Sequence, residues 1–148
     1  MSRMRPVLEI LHVEDNPGDV DLLAEVLGAL EVRTSITVAR DGVEALERLA
    51  KGPAGGGRFD LVFLDLNLPR KHGREVLADM KSNPELKHVP VVVLSSSEAE
   101  RDLLEVYRLH ANCFVTKPVD LDEFLSSITS TARFWLEVAR LPSGAAKG

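Results

Sequence analysis

One cysteine, Cys113, stands in a chain of 148 residues. A lone thiol excludes an internal disulfide framework and suits a reducing cytoplasm. No Cys/His set has the spacing of zinc ligands: His12, His72, His88 and His110 fall on separate segments, each read as structural or solvent-facing. Long apolar runs are missing too. The opening MSRMRPVLEILHV carries basic residues, but its apolar run is too short and too interrupted for a signal peptide or a membrane span. A cytoplasmic chain without a membrane partner is therefore expected. Positive charge is not in excess, since 18 Lys and Arg face 23 Asp and Glu, for a formal net charge of -5. That balance argues against a nucleic-acid surface. No internal repeat is visible. The loop GPAGGG at 52–57 lacks the lysine and hydroxyl of a phosphate-binding P-loop and opens onto no helix, so it reads as a linker.

What is present is a regular alternation. The length suits one domain able to bury a core without disulfides or metal. Strand-like runs cover Val7–Val13, Thr34–Ala39, Phe59–Asp65, Val89–Ser95 and Asn112–Thr116. Helix-like runs lie between them, beginning PGDVDLLAEVLGAL, GVEALERLA, GREVLADMKS and EAERDLLEVYRLH, and DLDEFLSSITSTARFWLEVARL closes the series. Gly42, Val43, Ala45, Leu46 and Leu49 form one apolar helical face, and Val76, Leu77 and Met80 another. Pro17 and Asp120 read as N-terminal helix signals. Strict β-α alternation implies a doubly wound α/β fold, a parallel sheet with helices on both faces. In such folds ligands bind beyond the carboxyl ends of the strands. Residues 1–141 are expected to form this single domain, with 142–148 as a flexible tail.

The strand ends converge on one chemistry. The first ends in Glu14 and Asp15, the third in Asp65, the fourth in Ser95 and the fifth in Thr116, Lys117 and Pro118. Taken singly, each has a plain reading: Glu14 and Asp15 as turn and cap chemistry, Ser95 as a strand-end hydrogen bonder, Lys117 as a solvated charge. Together they put three carboxylates, a hydroxyl and an ammonium on one sheet edge. Clustered carboxylates repel unless a cation compensates, and the hard oxygen donors suit Mg²⁺. The pattern is that of a metal-assisted phosphoryl acceptor, with Asp65 as the nucleophile and Lys117 neutralising the transferring group.

Glu14-Asp15, Asp65, Ser95 and Lys117-Pro118, in that order and spacing, resemble the receiver domain of two-component response regulators over about Val7 to Leu141. The resemblance implies a flavodoxin-like (βα)5 three-layer sandwich with strand order 2-1-3-4-5, and Mg²⁺ or Mn²⁺ as the metal. It makes Asp65 the phosphoacceptor, with Glu14, Asp15, Asp65 and the backbone carbonyl of Asn67 holding the ion. Ser95 and Lys117 would grip phosphate oxygens, Lys117 through a cis Lys117–Pro118 bond. Ser95 and Phe114 would form the switch, and Asn67 and Ser97 would tune dephosphorylation. Phe114 lacks the hydroxyl of a tyrosine, so it makes no phenolic hydrogen bond; a plain core role for it stays open. The wording VEDNPGD, LDLNLPRKHGREVL, PVVVLSSSE, NCFVTKPVDLDEF and FWLEVARLP is similar to small receivers that partner phytochrome-type histidine kinases. With little chain after the last helix, a stand-alone regulator without a DNA-binding output is expected, non-enzymatic apart from its own phosphorylation and dephosphorylation.

The last helix carries more apolar surface than one face needs. Leu121, Phe124, Leu125 and Ile128 should cover the sheet, while Phe134, Trp135, Leu136, Val138 and Leu141 crowd further faces. Such a helix is deeply buried or meets another chain. A homodimer through Phe134, Trp135 and Val138 is expected. Three rival readings fit the residues less well. A haloacid-dehalogenase-like phosphatase wants a second aspartate where Asn67 stands. A flavodoxin-type cofactor binder would place a phosphate against the acidic EDNPGD loop. A phosphorylation-independent binding module leaves a complete acceptor site without a use.

Overall fold

The computed structural model describes residues 7–96 and 100–142. Five strands, β1 (Leu8–Val13), β2 (Thr34–Ala39), β3 (Leu61–Asp65), β4 (Val91–Ser95) and β5 (Cys113–Thr116), pair in parallel in the order β2-β1-β3-β4-β5. Helices α1 (Pro17–Gly28), α2 (Gly42–Lys51), α3 (Gly73–Ser82), α4 (Glu100–Arg108) and α5 (Leu121–Arg133) alternate with them. The expected doubly wound sandwich is the observed fold. Its registers align the strand ends: Val13 lies beside Leu64, Asp65 beside Leu94 and Ser95 beside Thr116.

Strand β3 is buried on both sides, which is why its apolar residues are consecutive rather than alternating. Val62 and Leu64 join Leu11, Val13, Val91 and Val93 in the core beneath α2, α3 and α4. Leu61 and Phe63 turn the other way, joining Ile10, Val92 and Leu94 beneath α1 and α5. Each large side chain buried there contributes roughly 1.5–3 kcal/mol of apolar transfer. Both helix-start signals hold: Pro17 opens α1 behind the Asn16 cap, and the Asp120 carboxylate accepts the Asp122 N–H. Gly73 opens α3 against the backbone of Asp65 and Leu66, where a Cβ would collide with the Asp65 carbonyl oxygen. Its N–H donates to the Leu66 carbonyl at 3.0 Å, so the end of β3 is held by the start of α3.

Several boundaries differ from the sequence reading. β3 and β4 begin later than expected, because Phe59 and Val89 are buried outside the ladder. Burial alone does not make a strand. Leu121 is exposed rather than packed on the sheet, since the Asp120 cap places it in the first turn, above the core edge. The last helix also does not continue regularly: a π-helical segment, Phe134–Val138, follows α5 and turns Leu136 inward. The GPAGGG stretch is a loop at the pole opposite the strand carboxyl ends, with Gly52, Gly56 and Gly57 at positive φ. Residues 143–148 of the expected tail lie outside the described residues. No described helix is long and apolar enough to cross a membrane.

Candidate phosphoryl-acceptor site

The carboxyl ends of β1, β3 and β5 bring the predicted charges together. Glu14 follows β1 directly, is almost wholly buried, and its N–H is held by the Ala39 carbonyl at 2.9 Å. Asp65 is the last residue of β3, also buried. Asp15 is exposed beside them, and the three carboxylates place oxygen atoms within 4.8 Å of one another. Lys117 leaves β5, its backbone N–H anchored on the Ser95 carbonyl at 2.7 Å. Its Nζ donates to Glu14 Oε1 at 2.6 Å, Asp19 Oδ2 at 2.9 Å and Asp65 Oδ2 at 3.2 Å. The other Asp65 oxygen, Oδ1, accepts the Asn67 N–H at 3.0 Å. The aspartate is thus fixed through both oxygens.

These groups line an open cleft of about 440 Å³, together with Asn16, Pro17 and Ser96. Ser95 lies fully buried behind it. Burial pushes Glu14 up to about 7, reinforced by its hydrogen bond with Asp65, while Lys117 pulls the other way without prevailing. Burial also opposes the Lys117 ammonium. There the hydrogen bond to Glu14, the charges of Asp65 and Glu14 and the bond to Asp19 win, and its pKa stands above the ordinary lysine value. An all-carboxylate set beside an open cleft fits a hard divalent cation such as Mg²⁺ or Mn²⁺.

One neighbour escaped the sequence reading, and another takes the structural role left open for it. Asp19, in the first turn of α1, is a fourth carboxylate on the site. The motif EDNPGD contains it, but an acid in a first helical turn reads as dipole compensation. His12 is not solvent-facing: it is buried one layer beneath Glu14, edge-on to Phe63 at 6.3 Å, and its Nδ1 has no hydrogen-bond partner. Burial, then the Lys117 charge, pulls it down to about 4, against the opposing pull of Asp19 and Asp65. Of the other histidines, His72 caps α3 through Nδ1 and the Arg74 N–H, and His88 and His110 are exposed.

One expectation is corrected. The Lys117–Pro118 bond is trans, as no described peptide bond is cis. A trans X–Pro bond is the lower-energy form, and Lys117 already reaches three carboxylates from it. The remaining predicted residues lie around and away from the cleft. Phe114 is half-buried against the core beneath α4, and its backbone N–H donates to the Tyr107 hydroxyl at 3.2 Å. Ser97 lies outside the described residues. Phe134 and Val138 are exposed at the far end of α5, whereas Trp135 packs partly on the core and edge-on to Phe134.

Comparison with known proteins places this geometry. The response regulator receiver domain profile matches residues 10–129. Response regulator Rcp1 of Synechocystis sp. is 41% identical over 93% of this chain and 95% of its own length. The crystal structure of its Mn(2+)-bound form superposes with a TM-score of 0.87 at 42% identity, covering 91% of this chain and 99% of that one. The phosphorylated cyanobacterial phytochrome response regulator RcpA superposes with a TM-score of 0.88 at 44% identity, covering 93% and 100%.

Proposed function

This chain belongs to the response regulator receiver domain family, and from that premise we propose that it accepts a phosphoryl group on Asp65 from a phytochrome-type histidine kinase and signals through protein contacts. The observation that carries the reading is Asp65 itself, a buried strand-end carboxylate held by Asn67 and Lys117 at the floor of an acidic open cleft. One of its oxygens forms the bond to phosphorus as the donor's bond to phosphorus breaks. Glu14, Asp15, Asp65 and the Asn67 carbonyl would hold Mg²⁺ or Mn²⁺, which would supply positive charge against the phosphoryl group. Lys117 pairs with a phosphoryl oxygen, and its anchor on the Ser95 carbonyl ties that grip to β4. The Ser95 hydroxyl turns toward the same group, and Phe114 answers on β5. Asn67, on the rim of the cleft, and Ser97 set how fast water removes the phosphoryl group.

Relatives of this chain carry phytochrome in their names, which supports that kinase type as the donor. The exposed Phe134 and Val138 support a homodimer at the far end of α5. Phe134→Ser with Val138→Ser shifts sedimentation toward the monomer; an unchanged mass at equal concentration rejects that surface. The function itself is tested by incubation with acetyl phosphate and Mg²⁺. One hydroxylamine-labile phosphoryl group per chain is expected. An unlabelled chain, or phosphate release in large excess over protein as from a phosphatase, contradicts it.

A further inference from the structure

Lys117 has three N–H donors, and three carboxylates take them: Glu14, Asp19 and Asp65. Two of these, Glu14 and Asp65, also belong to the trio that suits a divalent cation, whereas Asp19 does not. A cation entering the trio therefore competes with the ammonium for Glu14 and Asp65. The displaced ammonium is only 13% exposed, so it needs another anion close by. Asp19 is placed to be that anion. Its Oδ2 lies 2.9 Å from Nζ, and its backbone N–H is fastened to the Asn16 cap at 3.2 Å, in a helix start opened by Pro17. Its side chain is 26% exposed, at the rim of the cleft that the three carboxylates of the trio share.

We infer that Asp19 is a positioning residue that holds Lys117 when metal takes Glu14 and Asp65, and so lets the metal and the lysine occupy the site together. This rests on the phosphoryl-acceptor reading for its purpose, but not for its measurement. Without Asp19, the ammonium stays on Glu14 and Asp65 and the metal must displace it onto nothing.

The competing account is a general field effect, in which any lost negative charge weakens a cation site. A double-mutant cycle separates the two. Mg²⁺ and Mn²⁺ binding is measured by calorimetry, without phosphodonor, on the wild type, Asp19→Asn, Lys117→Ala and the double variant. Lys117→Met repeats the cycle in a background that keeps the apolar stem, and circular dichroism establishes that each variant is folded. Asp19→Asn is expected to weaken binding in the wild type by a factor at least about threefold larger than in either Lys117 background. An equal loss in all backgrounds, or no loss in the wild type, overturns the inference. The binding cycle reads out even if Asp65 takes no phosphoryl group, so failure of the acceptor assignment is seen separately.

Discussion

Asp60 and Asp65 are two carboxylates of one short segment, at opposite ends of β3, and both are buried. Asp60 Oδ2 accepts the Glu9 N–H at 2.7 Å, and the Asp60 N–H returns to the Glu9 carbonyl at 2.7 Å. Those partners are backbone, so this pair fastens the start of β3 to β1. Asp65 meets the side chains of Lys117 and Glu14, each arriving from a different strand, and it faces a cleft. Burial of a carboxylate is common to both. What marks the reactive site is its company: at Asp65 titratable side chains from two other strands meet beside a cleft.

The difference can be broken at several points. The largest effect belongs to the acidic pole. Lys117→Ala should slow phosphorylation by acetyl phosphate about 10²–10³-fold, as expected for loss of a preorganised charge partner. Stopped assays of labelled protein give the rate, and a rate within a factor of a few of the wild type contradicts the role given to Nζ.

Next comes His12, a buried polar group with neither kind of company at Nδ1. Its folded pKa of about 4 lies below the ordinary histidine value of 6.5, so the unfolded chain takes up the proton first on acidification. The stability contributed by neutral His12 is full above pH 6.5 and is lost as pH falls toward 4, a decline of about 3 kcal/mol. Urea unfolding of His12→Leu across that range should fall less steeply than the wild type. Parallel slopes contradict the assignment.

At the other pole, Asp60→Ala should cost roughly 2 kcal/mol by leaving the Glu9 N–H without its charged acceptor, with the phosphorylation rate unchanged. The smallest effect is expected at the edge strand. In a parallel ladder alternate residues face the neighbour, so with the Lys117 N–H on β4, the Phe114 N–H points outward to Tyr107. Tyr107→Phe should lower stability by about 1 kcal/mol in the same unfolding assay, with no loss of labelling.

Much of this was legible in the sequence because each strand announces its end chemically. LVFLD and PVVVLS are apolar up to a polar residue, and alternation with helices sets all such ends at one pole. Glu14, Asp15, Asp65 and Lys117 therefore fall together on the sequence pattern alone. Asp60 shows the limit. It sits between Phe59 and that apolar run, and the pattern cannot say that it precedes the ladder and binds backbone. Asp19 was hidden because a first-turn acid has a local explanation that says nothing of Lys117. The π-helical turn at Phe134–Val138 depends on hydrogen-bond geometry, to which apolar spacing is nearly blind. The hydroxyl serving Phe114 was also out of reach, since it comes from α4, and nothing in the spacing pairs Tyr107 with β5.

The central claim is that Asp65, and not its buried companion Asp60, takes the phosphoryl group. Acetyl phosphate labelling with Mg²⁺, followed by mass measurement of the intact chain, tests it on Asp65→Asn and Asp60→Asn side by side. Asp65→Asn is expected to stay unlabelled and Asp60→Asn to label fully. Full labelling of Asp65→Asn contradicts that claim.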